Sequence, residues 1–165
     1  MNFAEVYERY ARDVHRFALY LCGDHALAED LTAETFVHAF CGGSEIRVDT
    51  VKAYLFAIAR NLYRDSLSGQ QRLAPIADIP EPMDSAPAPD VAASDRQTFQ
   101  ALLQGIQRLP DSQREALVLA TDQDLTYEQI AAIVGCSVAA VKVRVHRARL
   151  KLRAELEAKE YTWKT

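Results

Sequence analysis

Leu125 to Arg153, LTYEQIAAIVGCSVAAVKVRVHRARLKLR, spells out two helices and the turn between them. Thr126 followed three residues later by Gln129 has capping-box form, since the hydroxyl and the amide satisfy backbone donors that a helix start leaves unpaired. A first helix therefore starts near Tyr127, with Ile130, Ala131, Ile133 and Val134 as its apolar face. Gly135 tolerates the left-handed backbone on which such a helix stops. Ser137 is a good N-cap for a second helix. Beyond it Val138, Val141, Val145, Ala148 and Leu152 recur at steps of three and four, one buried stripe of that helix.

The rest of that second helix carries one sign of charge. From Ser137 to Arg153 the ionisable residues are Lys142, Arg144, Arg147, Arg149, Lys151 and Arg153, with His146 among them and no acid. A merely solvated face mixes signs to gain i,i+4 pairs, so this face suits an anion. Helix, glycine turn and cationic helix make a helix-turn-helix, whose second helix enters the major groove of duplex DNA with its N-terminal residues nearest the base edges. Roles then separate by place. Ala139, Ala140, Val143, Arg144 and Arg147 lie toward the start or on the outward side, where Arg pairs with guanine through two hydrogen bonds and small apolar groups touch a thymine methyl. Lys142, Arg149, Lys151 and Arg153 suit phosphates.

Outward from this stretch, charge divides the chain in three. Residues 1–72 hold 8 Lys and Arg against 10 Asp and Glu, residues 73–95 hold 0 against 5, and residues 96–165 hold 11 against 8. A chain of 165 residues with a net charge of −4 does not hold DNA on charge alone, so something else must help keep it at its site. Between Leu73 and Asp95 fall five of the six prolines and no basic residue. That composition buries too little apolar surface to order a chain, so it predicts an extended, polyproline-like tether between domains 1–72 and 96–165. The tether is either a passive spacer or an acidic strand that lies in a basic groove on a partner.

The N-terminal domain reads as three helices. Phe3, Val6, Tyr7, Tyr10, Val14, Phe17, Ala18 and Leu21 keep helical spacing, and Gly23 with Asp24 ends that run. A second helix from His25 through Phe40 offers Leu27, Leu31, Phe36, Val37 and Phe40 to the core and leaves Glu29, Asp30, Glu34 and His38 outside. Gly42 to about Thr50 reads as a loop. A third helix from Val51 to about Ser68 has Leu55, Ile58, Ala59 and Leu62 for the core. Its outer positions carry Lys52, Arg60, Asn61 and Arg64, interleaved with Tyr54, Phe56 and Tyr63. Aromatic faces stack on unpaired bases while cations track the backbone, as a single-strand surface requires. The same residues also suit an aromatic core with solvated charges around it. The expected fold is all-α: two small helical domains joined by an extended acidic linker.

Other classes find little support. The cysteines, Cys22, Cys41 and Cys136, are odd in number and without C-x-x-C spacing, which fits buried thiols in a reducing cytosol. No basic-then-apolar leader opens the chain, and no apolar run approaches the roughly 18 residues of a membrane span, so the expectation is a cytoplasmic protein without membrane insertion. His15, His25, His38 and His146 form no H-E-x-x-H, and there is neither a nucleophile elbow nor a glycine-rich phosphate loop. No metal, cofactor or catalytic set is expected.

At this point the residues resemble a known family. Ala28-Glu29-Asp30-Leu31-Thr32-Ala33-Glu34-Thr35-Phe36, Tyr54 through Leu62, Leu109-Pro110 with Arg114, and Tyr127-Glu128-Gln129-Ile130-Ala131 leading to Val141-Lys142 and Arg147-Ala148-Arg149 look like an extracytoplasmic-function (group IV) sigma factor of bacterial RNA polymerase. The resemblance covers nearly the whole chain, in order. It implies that residues 1–72 are a sigma domain 2, which binds the clamp helices of the largest subunit of core RNA polymerase through Asp30, Ala33, Glu34 and Phe36. It also implies that this domain melts the −10 element with Lys52, Tyr54, Arg60, Asn61, Tyr63 and Arg64. The pocket for a flipped base is then expected in the Cys41 to Thr50 loop plus the start of the third helix. Residues 96–165 would be a sigma domain 4, seated on the flap of the second-largest subunit and reading the −35 element through Ser137, Ala139, Ala140, Lys142, Val143, Arg144, Arg147, Arg149 and Lys151. The linker of such proteins threads toward the RNA exit path, and an anti-sigma factor commonly holds them inactive. Departures include Ala33 where Gln is common, Tyr54 where Trp is frequent, and Ala140 where Thr is frequent. A stand-alone helix-turn-helix regulator explains Leu125 to Arg153 equally well, but not the Asp30 to Phe36 run or the acidic tether. The tail from Glu155 to Thr165 reads as a frayed end.

Overall fold

Gly23 and Asp24 make the first corner of the chain by opposite means. Gly23 takes a left-handed φ of 72° and donates its N–H to the Leu19 carbonyl at 2.7 Å, closing α1 (Phe3–Cys22). Asp24 stays extended and accepts from the Ala26 N–H at 2.9 Å, opening α2 (His25–Cys41). These come from a computed structural model that describes residues 2–42, 50–70 and 93–163. At the start of α1 Asn2 and Glu5 close a capping box, and at the start of α3 (Val51–Gln70) the Thr50 hydroxyl accepts from the Ala53 N–H at 3.1 Å. The chain divides into two units, Met1–Ala86 and Pro87–Thr165.

In the first unit α1, α2 and α3 all pack on one another. The buried stripe of α2 is Ala28, Leu31, Thr32, Thr35 and Phe36, at steps of three and one. Two threonines survive there because each hydroxyl donates back to a carbonyl one turn earlier, Thr32 to Ala28 and Thr35 to Leu31, both at 2.6 Å. That stripe leaves Val37 at 56% and Phe40 at 44% exposure, so these two are surface residues and not the core residues expected from their apolarity. Phe3 and Tyr7, also expected inside, are exposed at the open end of α1.

The third helix is buried almost all round from Lys52 to Arg60, Tyr54 being half-buried. Lys52 and Arg60, expected on the outer side, are each 8% exposed, and Tyr63 and Phe56 are buried with them. Lys52 is tolerated inside because its ammonium lies 3.2 Å from an Asp13 carboxylate oxygen on α1 and 5.8 Å from the Phe56 ring centroid. Phe56 in turn stacks on Phe17 at 4.7 Å. The aromatics of α3 thus belong to the core. The thiols also differ from expectation, since Cys41 is exposed and Cys22 and Cys136 are half-buried. Burial pushes the Cys22 thiol up from its ordinary pKa.

The second unit holds α4 (Ala93–Gln107), α5 (Asp111–Ala120), α6 (Tyr127–Val134) and α7 (Val138–Trp163), with α7 packed against each of the other three. Helix α4 begins within what the sequence reads as tether; the stretch 73–92 lies outside the described residues, as do residues 43–49 of the expected base pocket. The backbone approaches closely at Gly105, where a Cβ would meet Leu152 Cδ1 at 2.7 Å. Arg108 pairs with Glu155 at 3.0 Å, and Lys159 donates to the Gln104 side chain at 2.9 Å. The tail expected to fray is therefore helical and fastened to α4 as far as these residues. Between α4 and α5 the buried Arg114 guanidinium donates to the carbonyls of Ile106, Gln107 and Leu109. It supplies partners that the end of α4 cannot find in its own helix.

Candidate nucleic-acid interface

The turn between α6 and α7 is built as its sequence dictates. Thr126 Oγ1 accepts from the Gln129 N–H at 3.1 Å, and Gln129 Oε1 accepts from the Thr126 N–H at 2.9 Å. Gly135 has φ 74° and ψ 40°, the left-handed cap, and its N–H donates to the Ala131 carbonyl at 2.9 Å. Ser137 Oγ accepts from the Ala140 N–H at 3.1 Å, starting α7. The axes of α6 and α7 then differ by 93°. Nothing lies within 4 Å of a Cβ placed on Gly135, so Gly135→Ala suffers backbone strain alone. It should lose about 1–2 kcal/mol of unfolding free energy, checked by urea denaturation, with Gly135→Asn losing less.

Val141, Val145 and Ala148 are fully buried, while Val138 and Leu152 at the two ends of the stripe are half-buried. Opposite them Ser137, Ala139, Lys142, Val143, Arg147, Arg149, Lys151 and Arg153 are exposed. Ala140 and Arg144 are half-buried on the flank, so Arg147 is the exposed arginine nearest the helix start. Five exposed cations with no acid among them give this face a single potential, which a phosphate backbone complements. Two exposed features carry no signal in the sequence: Leu150, at 54%, and the ring of Tyr127, which faces Lys142.

On the first unit the residues expected at single-stranded DNA separate. Asn61 and Arg64 are exposed on one side of α3 and Tyr54 is half-buried, whereas Lys52, Arg60 and Tyr63 are inside. The expected clamp contact separates too. Asp30, Ala33 and Glu34 are exposed along one side of α2, but Phe36 is 1% exposed and meets the ring edges of Phe3 and Tyr7. Its ring is spent on the core and is no surface contact. In its place Val37 and Phe40 continue the exposed stripe of Ala33 and Glu34 toward the end of α2, with Phe40 4.9 Å from the Phe3 ring. Helical spacing carried the signal: residues 30, 33, 34, 37 and 40 line one side of the helix. Among the described residues no single helix is long and apolar enough to cross a membrane.

Known proteins match both units. Residues 6–73 match the family model for Sigma-70 region 2 and residues 99–152 that for Sigma-70 region 4. The ECF RNA polymerase sigma factor SigM of Bacillus subtilis is 33% identical over 154 residues, which cover 93% of this chain and 94% of SigM. SigE of Mycolicibacterium smegmatis is 33% identical over 156 residues, and the chain spans 60% of that relative's length. The sigma factor RpoE of Bartonella quintana, solved in complex with the anti-sigma factor NepR, has a TM-score of 0.75 at 28% identity, covering 94% of this chain and 96% of that one. Two sigma regions in their expected order, on an all-helical fold, are matched across nearly the whole chain by these relatives. The chain belongs to the extracytoplasmic-function sigma factors of RNA polymerase.

Proposed function

We propose that this subunit directs core RNA polymerase to promoters by dividing recognition between its two units. The polymerase supplies catalysis and most of the hold on DNA, which a subunit of net charge −4 does not. The exposed start of α7 reads the −35 duplex: Ala139 and Val143 touch base edges and methyl groups, and Arg147, with Arg144 beside it, pairs with guanine. Ser137, Ala140, Lys142, Arg149 and Lys151 complete the interface, the lysines and Arg149 at phosphates. Asn61 and Arg64, with Tyr54 at the edge, follow the non-template strand at the −10 element after melting. Lys52, Arg60 and Tyr63 support that helix from within.

Asp30 and Glu34 meet basic residues of the polymerase clamp helices, and Val37 and Phe40 extend that contact with apolar area. The second unit rests on the flap, and the acidic tether runs toward the RNA exit path, where its charge mimics that of a transcript. Two solved relatives were captured with partners, RpoE with NepR and CnrH with the cytosolic domain of CnrY, which supports an anti-sigma factor as a regulator here.

The observation that carries this reading is the single-sign exposed face on α7, presented by a 93° helix-turn-helix. Holoenzyme binding to promoter variants tests it. Arg147→Ala should lose about 1–3 kcal/mol at one preferred base pair and so relax selectivity there, whereas Lys151→Ala should weaken all sequences alike and lower the salt slope by about one. Equal losses on all sequences for both variants contradict the division.

A further inference from the structure

Tyr127, the first residue of α6, belongs neither to the buried stripe of the helix-turn-helix nor to its cationic face. The residue is 36% exposed, and Lys142 Nζ lies 5.9 Å from its ring centroid. The contact crosses the turn, from the start of the helix that lies over the DNA backbone to the helix that enters the groove. Among the described residues Lys142 forms no salt bridge, so the ring face is what draws its ammonium to this side. Glu128, exposed in the same first turn, disfavours a phosphate held by α6 alone. An ammonium placed beside that turn reverses the local sign.

We propose that Tyr127 is a positioning residue for promoter binding, holding Lys142 at the α6–α7 seam where the −35 duplex presents a backbone phosphate. This rests on α7 entering the major groove. A lysine stem samples many rotamers, and one already gathered over a ring loses less freedom when it meets its phosphate. The ring therefore acts on affinity through Lys142 and not through a base, so it affects all promoter sequences alike.

The test is duplex binding by reconstituted holoenzyme over a salt series, with Tyr127→Phe, Tyr127→Leu, Lys142→Ala and the double variant Tyr127→Leu/Lys142→Ala, all checked for an unchanged melting transition. Lys142→Ala is expected to weaken binding and lower the salt slope by about one. Tyr127→Leu, which changes no charge, should weaken binding roughly threefold and still move the salt slope part of the way toward that of Lys142→Ala. Tyr127→Phe keeps the ring and should stay near the parent. The double variant should be no weaker than Lys142→Ala. A Tyr127→Leu protein with the parent's affinity and slope overturns the proposal, as do losses that simply add in the double variant. If Lys142→Ala itself changes neither affinity nor slope, the failure lies with the groove reading of Lys142, and the proposal falls with it.

Discussion

Replacing Arg114 with Leu should cost the second unit about 3–5 kcal/mol, since three carbonyls each lose a charge-assisted hydrogen bond and relax only in part. Arg114 is 8% exposed, and its guanidinium donates to Ile106 at 3.1 Å, to Gln107 at 2.7 Å and to Leu109 at 3.0 Å, with Asp111 3.5 Å away. Leucine removes a charged donor from each of those carbonyls at the end of α4, Ile106 keeping the Leu109 N–H at 3.1 Å. In a unit of this size the loss amounts to a fall in melting temperature of roughly 10 °C or more, read by circular dichroism. Arg114→Lys keeps the charge but not the planar fork that reaches three carbonyls, so its loss should fall between the two. A Leu variant within about 1 kcal/mol of the parent contradicts this account of the corner. The pattern Leu109-Pro110 with Arg114 thus has a structural reason: proline ends one helix geometry, and the arginine ties the end of α4 to α5.

The second large effect concerns the polymerase. Asp30 and Glu34 lie one turn apart on the side of α2 away from its buried stripe. Reversing both to Lys should leave the helix folded and weaken association with core polymerase by about 100-fold or more, since like charges set against each other cost several kcal/mol. Glu8→Lys, exposed on α1, is the control and should stay within a few fold. Retained assembly by the double variant, measured by fluorescence titration with core enzyme, removes these acids from the contact.

Where the sequence was legible, local chemistry decided the outcome. Thr126, Gln129, Gly135 and Ser137 act through backbone hydrogen bonds within a few residues, so their roles could be read without a fold. The valine stripe of α7 obeyed its period because three helices cover it. Illegible features depended on which neighbour covers which face. Val37 and Phe40 are apolar yet exposed because Thr32 and Thr35 take the inner positions with self-satisfied hydroxyls. Lys52 is charged yet inside because Asp13, nearly forty residues earlier, meets it. Periodicity gives the phase of a helix but not the extent of its cover, and it gives no sign of a distant ion-pair partner. The candidate DNA face on α7 was accordingly readable almost whole, while that on α3 shrank to Asn61, Arg64 and the edge of Tyr54.

Run-off transcription from a randomised promoter library, with core polymerase alone and with polymerase reconstituted with this subunit, measures the central claim directly. The account predicts that only the reconstituted enzyme enriches templates carrying two separated sequence elements, and that Arg147→Ala degrades the upstream one while leaving the downstream one in place. It is contradicted if the subunit fails to associate with core polymerase and instead binds a specific duplex unaided.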